Sequence, residues 1–117
     1  MESNDGSFAF PRELRLLSKK QYAQVFKSPS RAGNRAFTVL YCKNDCAYPR
    51  LGLAIAKKQV KLASDRNTIK RLIREYFRLN RHDLPNVDMV FLVRRDINSL
   101  NNDKIRSALK HVWKQVK

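Results

Sequence analysis

The sequence predicts a small α+β sandwich, or a split βαβ variant of one, in a single domain. Three observations lead there. The chain has 117 residues and is 43% hydrophobic, enough for one compact core. Apolar residues alternate, or run unbroken, over short stretches at 36–42, 51–56 and 87–93, the mark of strands. Around them, three stretches repeat at helical spacing, which gives the order helix, strands, helix, strand, helix.

The elements follow in order. Met1-Glu2-Ser3-Asn4-Asp5-Gly6 is acidic and polar, unlike a secretory leader. Residues 1–7 are expected to be a disordered tail ahead of one domain over 8–117. Ser18-Lys19-Lys20-Gln21 has the form of a capping box, so a helix over about 19–26 follows, and Ser28-Pro29-Ser30 stops it. In the strand at 36–42, Phe37, Val39 and Tyr41 share one face, with Thr38 and Leu40 on the other. In the strand at 51–56, Leu51, Leu53 and Ile55 share a face, and Gly52, Ala54 and Ala56 form an opposite face that lacks bulk. A basic loop over 57–63 leads to a long helix capped by Ser64 or Asp65 and ending near Arg81. The unbroken run at 87–93 reads as a strand buried on both faces. A last helix starts near Asn102, with Ile105, Ala108, Leu109, Val112, Trp113 and Val116 as its apolar stripe.

Charge carries the functional signal. The formal net charge is +15, from 25 Lys and Arg against 10 Asp and Glu. Such an excess repels itself, and a polyanion relieves it. It is concentrated on the long helix and the loop before it, where nine basic residues (Lys57, Lys58, Lys61, Arg66, Lys70, Arg71, Arg74, Arg78 and Arg81) face two acids, Asp65 and Glu75. At about 100° per residue, Ile69, Leu72, Ile73, Tyr76, Phe77 and Leu79 fall on one arc that packs on the sheet. Arg66, Lys70, Arg74 and Arg78 form a stripe beside that arc, flanked by Arg71 and Arg81, and Glu75 is placed to pair with Arg71. A solvated helix face normally mixes signs, because like charges at i,i+4 cost about 0.2–0.5 kcal/mol per pair. A nearly all-positive stripe points to a phosphate backbone.

Other classes fit less well. Metal-dependent phosphodiester cleavage needs clustered carboxylates holding ions about 3.5–4 Å apart. The acids here are scattered, and no nucleophile–base pair is visible. A zinc site needs about four ligands, whereas Cys42 and Cys46 stand without a histidine motif and are expected to be free thiols. No apolar stretch approaches a membrane span. A structural RNA-binding protein, of the ribosomal kind, remains open on composition alone.

At Ala54-Ile55-Ala56-Lys57-Lys58 and again at Arg66-Asn67-Thr68-Ile69-Lys70-Arg71-Leu72-Ile73-Arg74-Glu75, the sequence resembles the bacterial ribonuclease P protein family. Phe10-Pro11-Arg12-Glu13-Leu14-Arg15-Leu16, Arg31-Ala32-Gly33 and the stretch from Asp88 to Arg95 extend the resemblance over nearly the whole chain. Thr68 departs from it, standing where the family's Arg-Asn-Arg element has its second arginine. On the helical wheel Thr68 lies nearly opposite Arg66, so the basic stripe is expected to survive.

The resemblance implies an α-β-β-β-α-β-α order with a left-handed βαβ crossover at the long helix. It implies a subunit of a cytoplasmic ribonucleoprotein endonuclease that removes the 5′ leader of precursor tRNA. Catalysis then belongs to the RNA subunit with Mg2+, no cofactor or active site is expected in the protein, and one protein is expected per RNA. Carried over residue by residue, Lys61, Arg66, Asn67, Lys70, Arg71, Arg74 and Arg78 would face the RNA subunit. Tyr22, Phe26, Phe37, Lys57, Lys58 and Arg95 would line the site for the leader.

Overall fold

The computed structural model describes residue 15 and residues 19–27, 29–44 and 48–116. The expected N-terminal tail, the capping serine at 18 and Cys46 lie outside these. The elements are α1 (Lys19–Lys27), β1 (Ser30–Gly33), β2 (Phe37–Lys43), β3 (Arg50–Ala54), α2 (Ala63–Asn80), β4 (Val87–Val93) and α3 (Asn102–Trp113). Short 3-10 turns follow α2 and β4, at Arg81–Asp83 and Arg95–Ser99. The α-β-β-β-α-β-α order is the one expected from the resemblance.

The four strands form one sheet in the order β1-β2-β4-β3. β4 is therefore central, antiparallel to β2 and parallel to β3. A parallel neighbour cannot be reached through a tight turn; α2 supplies the crossover between β3 and β4.

Side-chain alternation sorts the sheet into two faces. Phe37, Val39 and Tyr41 of β2, Leu51 of β3, and Val87, Met89, Phe91 and Val93 of β4 join the main core with α2 and α3. Trp113 packs edge-on to Tyr76 and Phe77, with centroids 5.0 and 5.9 Å away, and its indole N–H donates to the Asn80 carbonyl at 3.1 Å. Its place is the core. The second face carries Val90, Leu92, Leu40, Cys42 and Ala54, and α1 covers part of it through Tyr22 and Val25.

Four readings of the residue pattern need correction. β1, implied by the resemblance, has no trace in the residue pattern: it is a four-residue polar edge with one buried side chain, paired with β2 and tied to the C-terminal helix by long-range bonds. Gln115 of the C-terminal segment donates to the Gly33 carbonyl and accepts from its N–H, and the Asn34 side chain donates to the Ala108 carbonyl of α3 at 2.9 Å while accepting locally from the N–H groups of Ala36 and Phe37. The long helix begins one residue before the expected cap, with Leu62 at the N-cap and no side-chain cap bond. Leu79 lies at the margin of the apolar arc and is 61% exposed, its position on the wheel turning it away from the core that Phe77 enters. Among the described residues, Glu75 and Arg71 form no ion pair.

The second face ends in a buried charge pair. Asp88, 4% exposed, accepts from Arg50 Nε at 2.7 Å and NH2 at 2.6 Å, and from Asn44 Nδ2 at 2.9 Å. Across the strand from it, burial first and the Asp88 charge second push the Cys42 thiol up, so it stays protonated and unreactive near neutral pH. Removing one partner of a buried pair strands the other's charge. Asp88→Ala is expected to cost about 2–4 kcal/mol in urea unfolding; a loss below about 0.5 kcal/mol would mean that Arg50 finds solvent without penalty.

Candidate nucleic-acid interface

Where α1 stops covering the second face, the described residues leave a recessed floor, with Thr38 itself buried in it. Thr38 of β2, Leu92 of β4 and Ala54 of β3 lie in register there, Thr38 beside Leu92 and Ala54 beside Leu92. The floor is low because the sequence puts small residues on β3. At Gly52 a Cβ would sit 2.7 Å from the Tyr22 ring and 2.9 Å from its hydroxyl oxygen. Tyr22 thus rests directly on the Gly52 backbone, and α1 lies closer to the sheet than any side chain at 52 would permit. One turn on, Phe26 is 45% exposed. Tyr22 is a half-buried wall, and Phe26 is a ring available from solvent.

Basic groups rim this floor. Lys58 and Arg95 stand with Thr38, Leu92 and Arg94 around its upper end. Lys58, Arg95, Lys61 and Asn98 line an adjoining notch of about 420 Å³. The sequence reading divided Lys61 from Lys58 and Arg95 as belonging to two different RNAs; the structure brings all three to one place. Lys57 is exposed on the same loop.

Phe37 does not belong here. Its side chain is fully buried on the other face of the sheet, edge-on to Phe91 at 5.7 Å. Alternation along β2 forces this, since Thr38 occupies the open face. The small residues at 52, 54 and 56 marked the right face, and the same period-two count applied to 37–42 pointed to Thr38. Leu92 and Asn98 were also missed. Leu92 was hidden inside an unbroken apolar run, and Asn98 bore no signal in the sequence.

α2 presents the second basic surface. Ile69, Leu72, Ile73 and Phe77 are buried against the core. Asn67, Arg71 and Arg74 are exposed, and Lys70 and Arg78 are half-exposed. Arg66 turns inward instead. Its NH1 donates to the carbonyls of Val60 and Lys61, both at 2.8 Å, and so fixes the loop that precedes its own helix. Thr68 donates its hydroxyl to the Ser64 carbonyl at 3.0 Å, a local bond within the helix. Burial, and then the nearby charge of Arg15, lower the Arg74 guanidinium below the usual arginine range, with Tyr22 opposing. Arg15 itself bridges to Leu51 at the outer edge of β3. Two guanidinium groups, those of Arg15 and Arg74, therefore lie within electrostatic reach of each other where α2 passes the β3 edge. Among the described residues, no group of three His, Cys, Asp or Glu side chains is placed to hold a metal ion.

A family model described as Ribonuclease P matches residues 10–117. The chain belongs to the ribonuclease P protein family. It is 50% identical over 107 residues to the ribonuclease P protein component of Photorhabdus laumondii, covering 92% of this chain and 90% of that one. The protein component of Proteus mirabilis matches at the same identity and coverage. Among solved structures, the ribonuclease P protein of Staphylococcus aureus superposes with a TM-score of 0.82 at 29% identity, over 87% of this chain and 94% of that one. That of Thermotoga maritima gives 0.78 at 30% identity, over 88% and 97%. As a member of this ribonuclease P family, the chain is a subunit of an endoribonuclease complex of tRNA processing, and its partner is RNA.

The Tyr22–Gly52 contact gives a direct check of the cleft geometry. Gly52→Ala is expected to destabilise the protein by about 1–3 kcal/mol through overpacking. In a Tyr22→Ala background the same change should cost much less, because the clash has gone. Equal costs in both backgrounds, read from denaturant melts, would show that the ring does not rest on Gly52.

Proposed function

We propose that the two basic surfaces hold two different RNAs: α2 grips the RNA subunit of ribonuclease P, and the open sheet face holds the 5′ leader of precursor tRNA. The observation that carries this reading is the low floor of Thr38, Ala54 and Leu92 beside the exposed ring of Phe26, under a rim of Lys57, Lys58 and Arg95. A single strand has unstacked bases for a ring and an apolar floor, and phosphates for a cationic rim. A folded RNA helix offers no such strand and fits the convex stripe of α2 instead, through phosphate contacts alone. Asn67, Lys70, Arg71, Arg74 and Arg78 make that stripe. Lys61 stands in the notch between the two surfaces, and Arg66 shapes the loop that joins them.

In this account the protein places substrate and the RNA subunit performs hydrolysis with Mg2+ ions of its own. One protein serves one RNA in a cytoplasmic particle. No described helix is long and apolar enough to cross a membrane, which accords with that setting. A leader contact exists only before cleavage, so it separates substrate from product.

Phe26→Ala is expected to weaken binding of precursor tRNA to the reconstituted holoenzyme by about 5- to 100-fold, the scale of one stacked base at 1–3 kcal/mol. Mature tRNA should bind as before. Equal weakening of both would reject the leader cleft.

The α2 surface has its own test. Arg71→Ala with Arg74→Ala should lower the salt slope of log affinity for the RNA subunit by about 2, or slightly less. An unchanged slope would make the stripe a solvated face.

A further inference from the structure

The segment between β3 and α2 is irregular, yet several of its carbonyls are held by specific bonds. The Ala56 carbonyl accepts from the N–H groups of Gln59 and Val60 at 3.0 and 3.1 Å. Val60 is fully buried in the core, and Arg66 takes the carbonyls of Val60 and Lys61. The Gln59 carbonyl is held from far along the chain. Asn98 Nδ2 donates to it at 2.8 Å and to the Arg95 carbonyl at 2.9 Å. One carboxamide therefore ties the lysine loop to the 3-10 turn that follows β4.

Those two segments carry Lys58 and Arg95, which share the notch that Asn98 also lines. Lys58 and Arg95 repel each other, Asp65 in the same notch and Asp96 in the adjoining hollow offset part of that repulsion, and the Asn98 bonds tie the two segments without adding charge. We propose that Asn98 is a positioning residue for substrate binding: it sets the spacing at which Lys58 and Arg95 close on one phosphate of the leader. The inference rests on the leader reading above and adds to it a residue that touches no RNA. Preorganisation of this kind removes the cost of gathering two mobile cations around an anion.

The test uses the holoenzyme, with precursor and mature tRNA as probes. Asn98→Ala should weaken precursor binding about fivefold, the scale of one or two net hydrogen bonds, and leave mature tRNA binding unchanged. Asn98 is exposed, so the melting temperature should fall by no more than about 4 °C. Asn98→Asp puts acceptors where the carbonyls need donors, and should lose at least as much. Asn98→Ser keeps one donor and should recover part of the loss.

A double mutant, Lys58→Ala with Arg95→Ala, completes the cycle. If Asn98 acts through these cations, adding Asn98→Ala to that double mutant has no further effect on precursor binding. An undiminished further loss, or an Asn98→Ala holoenzyme that discriminates precursor from mature tRNA as well as the parent, overturns the assignment. If the double mutant itself discriminates normally, the leader reading fails and the role of Asn98 fails with it. A silent Asn98→Ala beside an impaired double mutant overturns Asn98 alone.

Discussion

Everything on the functional surface depends on β4 having partners on both edges and neighbours on both faces. From Val87 to Val93, six of the seven side chains are buried and only Leu92 is half-exposed. That run fixes the sheet. Phe91 anchors one face against Phe37 and Trp113, and Val90 anchors the other under Val25. Burying large apolar side chains stabilises by about 1.5–3 kcal/mol each, which offsets the repulsion within a chain of net charge +15. Leu92 is where the second layer ends. Among the described residues, the cleft is thus the part of that face that the nine-residue α1 does not cover.

Much of this was legible in the sequence because two periodicities carry it. The period-two pattern assigned the faces of β2 and β3 correctly, and the run at 87–93 coincides with β4 to the residue. The helical stripe of α3 was read as core and is core. What escaped the pattern was held by side-chain bonds to backbone, some from far along the chain and some from the next segment. β1 exists through Asn34 and Gln115, which lie up to 82 residues from the atoms they bind. The start of α2 is set by the inward turn of Arg66, which its place in a basic stripe did not reveal. Phe37 was misplaced for a different reason: it was carried over from the family resemblance, whereas strand parity grouped it with Val39 and Tyr41 on the face opposite Thr38.

The charge distribution has a physical logic beyond attraction. Two cationic surfaces meet where α2 runs past the β3 edge, and Arg74 there lies close to Arg15 and Tyr22. Among the described residues the ion pairs lie elsewhere: Arg50 with Asp88 at the closed end of the sheet, and Arg106 with Asp103 on α3. The open end gathers Lys58, Lys61, Arg94 and Arg95 with only Asp65 and Asp96 among them, a net positive lining for a ligand. Separating a stabilising end from a binding end within a 7-residue strand length lets one small sheet serve both purposes.

The central claim is that the cleft and α2 contact different RNAs. Site-specific photo-crosslinking tests it most directly, with p-azidophenylalanine placed at Phe26 or at Asn67 in holoenzyme bound to precursor tRNA. The account predicts that the group at Phe26 crosslinks to the leader and the group at Asn67 to the RNA subunit. Crosslinks from both positions to the same RNA would contradict it.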